Sequence, residues 1–214
     1  MTTPLADRLK AAFGASLRAS ADRGRGADDV GATHASPVES PQQAEPLPGI
    51  ELQTVAGSCL VYEERYPLDH RHGSDLLGAC LEIPARGLAC LAKRPHLGDV
   101  DLRQAVFLDT ETTGLAGGTG TTAFLVGIGF FAPTNPGLAP DSFVVRQFFI
   151  RHFGEERAML LALSEALAPF RNVVTFNGKS FDLPLLETRY VLARLPRLRP
   201  PELHFDLLHP ARRL

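Results

Sequence analysis

The sequence predicts an α/β fold built on a mixed five-stranded sheet with helices packed against it. Three apolar runs rich in Val, Ile and Phe follow one another at 105–108, 123–131 and 142–150, each bounded by Gly, Pro or Asn, which is typical of consecutive strands. Two further runs, at 172–176 and 203–208, each follow a helical pattern. The order β-β-β-α-β-α-β predicts a meander followed by strand–helix alternation, and therefore both antiparallel and parallel pairing.

Two segments between these strands predict helices. Residues 155–170 (EERAMLLALSEALAPF) begin with acidic residues and have Pro169 near their end, as helix termini commonly do. Asp182 to Leu195 predicts the second helix, with Pro184 in its first turn, where a missing N–H costs little.

The rest of the chain divides into three smaller parts. Residues 1–18 predict an amphipathic helix, because an apolar residue recurs every four positions. This stripe consists of Leu5, Leu9, Phe13 and Leu17. Residues 19–48 are rich in Ala, Ser, Asp, Gly, Pro and Gln without a period, which indicates a disordered linker. Residues 49–104 predict a small accessory module with one candidate strand, GSCLVYEERYP, ahead of the main domain at 105–214.

Composition limits the possible classes of protein. The 214 residues are 44% hydrophobic, enough for a sizeable core, and a net charge of −2 predicts neither nucleic-acid nor membrane binding by itself. Three cysteines without a CxxC pair argue against a disulfide scaffold or a zinc site. No stretch approaches the ~18 apolar residues of a membrane span. We therefore expect a soluble cytoplasmic protein that does not bind membranes.

The stretch FLDTETTGLAGGTG (107–120) contains the first chemical signal, two carboxylates one residue apart after an apolar run. Side chains alternate along a strand, so Asp109 and Glu111 are expected on one face. They are either solvated at a strand end or neutralised by a cation, and oxygen ligands without a nearby thiolate suit Mg²⁺ or Mn²⁺. Asp182 is expected at the same edge of the sheet, either as a helix N-cap or as a third ligand. The three together predict a two-metal site that activates a water and stabilises a leaving oxygen.

Other motifs are weaker. NGKS (177–180) resembles the end of a P-loop, but the required glycine five positions before Gly178 is Val173, so an NTP-binding switch is disfavoured. His70 and His72 suggest a metal site, yet zinc usually needs three or four ligands, and solvated histidines are the favoured interpretation. Residues 171–214 carry eight Lys and Arg against four acids, which suits either a polyanionic substrate or an ordinary solvated surface.

Three segments in order, FLDTETTGLAGGTGTTAFLVGIG, VTFNGKSFDLPLLETRY and HFDLLHPARRL, resemble the YprB-like ribonuclease-H-like family, within the superfamily of the DEDD exonucleases. The similarity spans roughly 105–214. It implies a ribonuclease-H-like fold and a nuclease that hydrolyses phosphodiester bonds of DNA or RNA with two Mg²⁺ or Mn²⁺ ions. By analogy with the exonucleases it also implies a 3′–5′ preference.

The resemblance also implies roles for individual residues. Asp109 and Glu111 correspond to the first-motif catalytic metal ligands, and Asp182 corresponds to the second-motif ligand. Thr112, Thr113 and Gly114 correspond to residues that lie near the terminal nucleotide. Asn177 and Phe181 correspond to residues that shape the second motif.

One departure from the family pattern leaves two hypotheses open. The superfamily has a fourth carboxylate on a helix after the fifth strand, with a His or Tyr nearby. Asp206 lies on the predicted fifth strand and is a poor match for that ligand, and we expect His204 and His209 to be structural or surface residues. The chain is then either a metal-dependent nuclease domain without its last catalytic helix or a catalytically inactive nucleic-acid-binding domain.

Overall fold

A computed structural model describes residues 47–114 and 120–213. The helix predicted within 1–18, almost all of the linker predicted at 19–48, and the centre of the glycine-rich loop lie outside the described residues. Nine strands are described. They are β1 Ile50–Thr54, β2 Gly57–Pro67, β3 Arg71–His72, β4 Asp75–Leu76, β5 Ala105–Thr112, β6 Ala123–Ala132, β7 Ser142–Phe149, β8 Asn172–Thr175 and β9 Leu203–Asp206.

Four α-helices accompany the strands over the same part of the chain: α1 Ala85–Ala92, α2 Glu156–Leu167, α3 Asp182–Leu192 and the single turn α4 Leu208–Ala211. The predicted helices at 155–170 and 182–195 are confirmed as α2 and α3, each ending three residues early. Helix α3 ends where Arg194 adopts a left-handed backbone conformation with φ 55°. Short 3₁₀ turns fill the connections at 77–82, 95–99, 102–104 and 153–155.

The main sheet is mixed and has the order β1-β2-β7-β6-β5-β8-β9. Strands β5, β8 and β9 pair in parallel, whereas β1, β2, β7, β6 and β5 pair antiparallel with their neighbours. The predicted α/β class and the predicted order β-β-β-α-β-α-β are therefore confirmed from β5 onward. Because β5 is central and parallel to β8, the residues that follow both strands meet at one edge of the sheet.

The sheet has seven strands and not the expected five. The two additional strands come from the predicted accessory module at 49–104, because β2 pairs with β7 over eight residues, from Leu60–Phe149 to Pro67–Ser142. Without β2, β7 would present a row of unpaired backbone groups at a sheet edge. Cys59, Leu60 and Val61 are buried in the main core, so this hairpin is part of the sheet.

The two faces of the sheet are covered unequally. Helices α2 and α3 pack on one face, where Met159, Leu160 and Leu163 of α2 are fully buried at the three- and four-residue spacing of an amphipathic helix. On the other face, α1 and the turns after it cover the beginning of β5 together with Val174 and Phe205. A groove remains open on this second face, beside β5, β6 and β7.

Two glycines of β6 give a matched test of this packing. A Cβ on Gly129 would lie 2.6 Å from Cζ of Phe143, whereas the nearest atom to a Cβ on Gly127 is the Asp109 carbonyl oxygen at 3.9 Å. Gly129→Ala must displace the Phe143 ring, and we expect it to lower the free energy of unfolding by about 1–3 kcal/mol. Gly127→Ala is expected to be neutral or to stabilise by up to about 1 kcal/mol. Urea unfolding measures both, and equal effects of the two substitutions would contradict the described strand packing.

Candidate active site

Strand β5 places two of the predicted ligands side by side. The strand continues through the DTET sequence to Thr112, so Asp109 and Glu111 lie on the strand itself and not beyond its end. Val106, Leu108 and Thr110 are buried on the side of α2 and α3, and the alternation of a strand directs Asp109 and Glu111 to the opposite side. Both line the open groove, whose volume is about 410 Å³. The expectation that they share a face is confirmed.

Asp182 is brought to the same strand from the start of α3. It is the first residue of the helix and is only 3% exposed, and its Oδ1 accepts a hydrogen bond from Oγ1 of Thr110 at 2.5 Å. Phe181 takes the N-cap position without a side-chain cap, so Asp182 does not fill the alternative role of N-cap. The Asp182 carboxylate therefore docks on β5 at the residue between Asp109 and Glu111.

The electrostatics of the site couple these carboxylates. Desolvation raises the pKa of the Asp109 carboxyl, and the nearby charges of Asp182 and Glu111 raise it further. Burial raises the pKa of Asp182, against the opposing effect of the hydrogen bond from Thr110. The ionised Asp182 and Glu111 side chains therefore repel an ionised Asp109, and a cation between them would relieve that repulsion.

The fit to a metal ion is partial. The donors are carboxylate oxygens, the ligands that Mg²⁺ and Mn²⁺ prefer. Asp182 approaches β5 from the side of Thr110, however, whereas Asp109 and Glu111 face the groove. Within residues 47–114 and 120–213, no three His, Cys, Asp or Glu side chains lie close enough together to hold a metal ion. Among the same described residues, His70 and His72 of the DHRHG motif belong to no such group.

The loop that presents Asp182 is held by Asp206. The Asp206 carboxylate accepts backbone N–H groups from Asn177 at 2.8 Å, Lys179 at 3.0 Å and Leu208 at 3.0 Å. Burial raises the pKa of Asp206, but these hydrogen bonds outweigh it, so the net shift is downward. Asp206 therefore has a structural role, because it holds the backbone of this loop through three hydrogen bonds.

The backbone of this loop explains the NGKS sequence. Asn177 has φ 67°, a left-handed conformation that Asn tolerates better than most residues, and its carbonyl accepts the N–H groups of Ser180 and Phe181. Gly178 packs against Thr175, and a Cβ at this position would lie 2.5 Å from Cβ of Thr175. The NGKS residues therefore form a tight turn into α3. Partial burial lowers the pKa of the Lys179 side chain, and the charge of Arg94 lowers it further.

The residues predicted near the terminal nucleotide lie next to Glu111. Thr112 Oγ1 donates to the carbonyl of Gly114 at 2.9 Å. The N–H of Thr113 donates to the carbonyl of Thr122 at 3.0 Å, and Thr113 Oγ1 accepts the N–H of Thr122 at 3.1 Å. These bonds close the base of the loop that contains residues 115–119.

One ion pair in this region was not predicted from the sequence. Arg189 of α3 donates from Nε and Nη2 to the two carboxylate oxygens of Glu156 on α2, both at 2.6 Å, and its Nη1 lies 3.4 Å from the carbonyl oxygen of Thr121. The pair is about 12% exposed at each side chain. In the sequence, the acidic residues at the start of α2 predicted only the beginning of a helix. Nothing in the sequence near Glu156 identifies Arg189, 33 residues away, as its partner.

The Thr110–Asp182 hydrogen bond makes the first testable prediction for the site. Thr110→Val keeps the shape of the side chain but leaves the buried Asp182 carboxylate without this donor, so we expect a loss of about 1–3 kcal/mol in the free energy of unfolding. Because the lost bond favours the ionised form, the pKa of Asp182 is expected to rise. Urea unfolding at pH 7 checks the first effect. Thr110→Ser, which keeps the hydroxyl, and Thr188→Val on the exposed face of α3 are the controls, and a loss as large in either control would contradict the assignment.

His204 makes a prediction about pH. Its Nε2 lies 2.8 Å from Oγ1 of Thr175, and burial and the Lys179 charge lower its pKa to about 4 from an ordinary value of about 6.5. Between these two values the unfolded chain binds a proton that the folded chain does not, so His204 makes the folded state lose stability as pH falls. His204→Gln is expected to remove this contribution, and unfolding measured from pH 7 to pH 4.5 checks it. If the free energy of unfolding changes with pH in the same way for the parent and for His204→Gln, the prediction is contradicted.

Comparison with known proteins agrees with the fold. A family model of the RNase H superfamily matches residues 106–214. The uncharacterized protein YprB of Bacillus subtilis (strain 168) is 40% identical over 161 residues, which cover 73% of this chain and 36% of the relative. This chain therefore spans about a third of the length of that relative. No helix among the described residues is long and apolar enough to cross a membrane. The described mixed sheet is consistent with that superfamily, and the chain belongs to the RNase H superfamily with a YprB-like ribonuclease-H-like domain.

Proposed function

We propose that this chain is a metal-dependent nuclease domain that hydrolyses phosphodiester bonds of DNA or RNA as a DEDD-type 3′–5′ exonuclease. The observation that carries the proposal is the docking of Asp182 on β5 between Asp109 and Glu111 through the Thr110 hydroxyl. This hydrogen bond joins residues 72 positions apart, in two motifs that the family resemblance assigns to one catalytic centre. Membership of the RNase H superfamily supports a nuclease-like activity.

The proposed roles of the residues combine the family resemblance with the positions of these side chains. Asp109, Glu111 and Asp182 would hold two Mg²⁺ or Mn²⁺ ions, and such ions supply an activated water and stabilise the leaving oxygen. Thr110 orients Asp182, and Asp206 holds the backbone of the turn in front of it. These two residues position a ligand and are not themselves proposed to touch the substrate.

Substrate contacts are proposed for the residues around the carboxylates. Thr112, Thr113 and Gly114 follow Glu111 and would approach the terminal nucleotide, while Asn177 and Phe181 shape the turn into α3. The excess of Lys and Arg over acids in 171–214 would attract a polyanionic substrate. All three described cysteines are free, which supports the reducing cytoplasm as the compartment.

The test is degradation of end-labelled single-stranded DNA and RNA with Mn²⁺ or Mg²⁺. We expect metal-dependent shortening from the 3′ end, and we expect Asp109→Ala to reduce the rate by more than about 100-fold, because even outer-shell metal partners are typically worth 10–100-fold. Asp99→Ala, at an exposed carboxylate away from the groove, is the matched control. Where the gene continues beyond Leu214, a longer form is assayed alongside, since the resemblance implies a fourth carboxylate after β9.

A catalytically inactive nucleic-acid-binding domain is the second candidate. It is favoured by the absence of a three-ligand metal group within 47–114 and 120–213. Binding of the same oligonucleotides without shortening, unaffected by Asp109→Ala, would select it over the nuclease. Shortening that survives Asp109→Ala at full rate would point to a contaminant and would contradict the proposed site.

A further inference from the structure

The open groove beside the carboxylates does not end at them. Its lining shares Phe143 and Val145 with a second groove of about the same volume, 410 Å³. That second groove is lined by Tyr66, Leu77 and the two histidines of the DHRHG motif, His70 and His72. One continuous depression therefore crosses the open face of the sheet from the carboxylates to the β3–β4 hairpin.

Aromatic rings follow this depression across the strands. The rings of Phe107 on β5 and Phe143 on β7 lie 5.6 Å apart, centroid to centroid. Phe143 pairs with Tyr66 on β2, and the Tyr66 ring lies 4.7 Å from that of His70. We name the surface formed by Phe107, Phe143, Tyr66, His70 and His72 the aromatic track. It spans three inter-strand steps, or about 14 Å.

The floor of the depression near the carboxylates is unusually bare. Gly127 pairs with Asp109 on the neighbouring strand and shares the open face without contributing a side chain, whereas the Phe143 ring covers Gly129. Outside its own chain neighbours, the atom nearest to a Cβ placed on Gly127 would be the Asp109 carbonyl oxygen, at 3.9 Å. A flat ring can lie against such backbone where a side chain would exclude it.

The charges at the far end of the track are mixed. Arg71 is exposed and donates to the carbonyl of Ser74 at 2.7 Å, which ties the hairpin that carries His72. Asp69 and Asp75 lie in the same hairpin segment. The surface is therefore not strongly basic, and the aromatic rings are its recognisable binding chemistry. Proteins that hold single-stranded nucleic acids without sequence preference use aromatic side chains on which successive bases stack.

We propose that the aromatic track binds the unpaired bases of a single strand next to the bond that is cut. The inference rests on the proposed function, because continuity with the groove of Asp109 and Glu111 identifies a nucleic acid as the occupant. It assigns a task to the DHRHG segment, which the catalytic site leaves unused. The track makes longer single strands bind more tightly than short ones, and it does not alter the chemistry at the carboxylates.

The experiment measures binding by the catalytically silenced chain, Asp109→Asn, to fluorescent oligo-dT and oligo-U from two to twelve nucleotides long. We expect affinity to rise with length and Tyr66→Ala in this background to remove about 5- to 100-fold of the affinity for the longest strands. The affinity for the dinucleotide is expected to stay unchanged. Tyr66→Phe, which keeps the ring, should bind as the parent does.

The matched control is Tyr62→Ala. Tyr62 lies on the same strand, donates to Glu64 at 3.2 Å and lines neither of the two grooves, so its loss should leave the length dependence intact. Urea unfolding of each variant separates loss of binding from loss of fold. Should Tyr66→Ala prove unfolded, ultraviolet crosslinking of a 4-thiothymidine oligonucleotide to the parent replaces it, with crosslinks expected at Tyr66, His70 or Phe143.

The outcomes separate this proposal from the proposed function. Binding that depends on Tyr66 in a chain that never cuts supports the track and rejects the nuclease. Cutting by the unsilenced chain with no effect of Tyr66→Ala on any length supports the nuclease and overturns the track. The track is also overturned if affinity does not depend on strand length, or if Tyr62→Ala and Tyr66→Ala have equal effects on binding. A dimer that forms through this face and excludes the oligonucleotide overturns it as well.

Discussion

The hydrogen bond between Thr110 and Asp182 is the contact on which the candidate site depends. It links the central strand β5 to the first residue of α3, and both side chains are buried. An ionised carboxylate is costly to bury without a donor, so this bond makes the position of Asp182 tolerable and fixes it beside Asp109. Two further contacts hold α3 in the position that this hydrogen bond requires. Asp206 binds the backbone of the preceding turn, and Arg189 joins α3 to Glu156 on α2.

Much of the fold was predictable because its signals are local. The five predicted strands and two predicted helices appear with bounds shifted by a few residues, since apolar periodicity and turn residues act over short stretches of chain. The position of Asp109 and Glu111 on one face followed from strand alternation alone. The extension of β5 through Thr112 was missed, because Thr and Glu after Asp109 resemble a loop until the antiparallel partner β6 is known.

Long-range pairing could not be predicted in the same way. Strand β2 has ordinary alternation, and nothing in its own sequence says that it joins β7 at the edge of the main sheet. The partner of Glu156 and the three backbone groups bound by Asp206 are equally non-local. The catalytic roles of Asp109, Glu111 and Asp182 remain predictions. Their partial separation across β5 also could not be anticipated, because only the fold shows that Asp182 docks on the side of Thr110, opposite Asp109 and Glu111.

The most direct test of the central claim is calorimetric titration of Mn²⁺ into this chain and into its Asp109→Asn, Asp182→Asn and Asp99→Asn variants. If Asp182 and Asp109 form one centre, the parent binds Mn²⁺, either of the first two substitutions weakens binding by about tenfold or more, and Asp99→Asn binds as the parent does. If the parent binds no Mn²⁺, or if it binds Mn²⁺ with an affinity that Asp182→Asn leaves unchanged, the docking of α3 on β5 does not build a metal site and the account is contradicted.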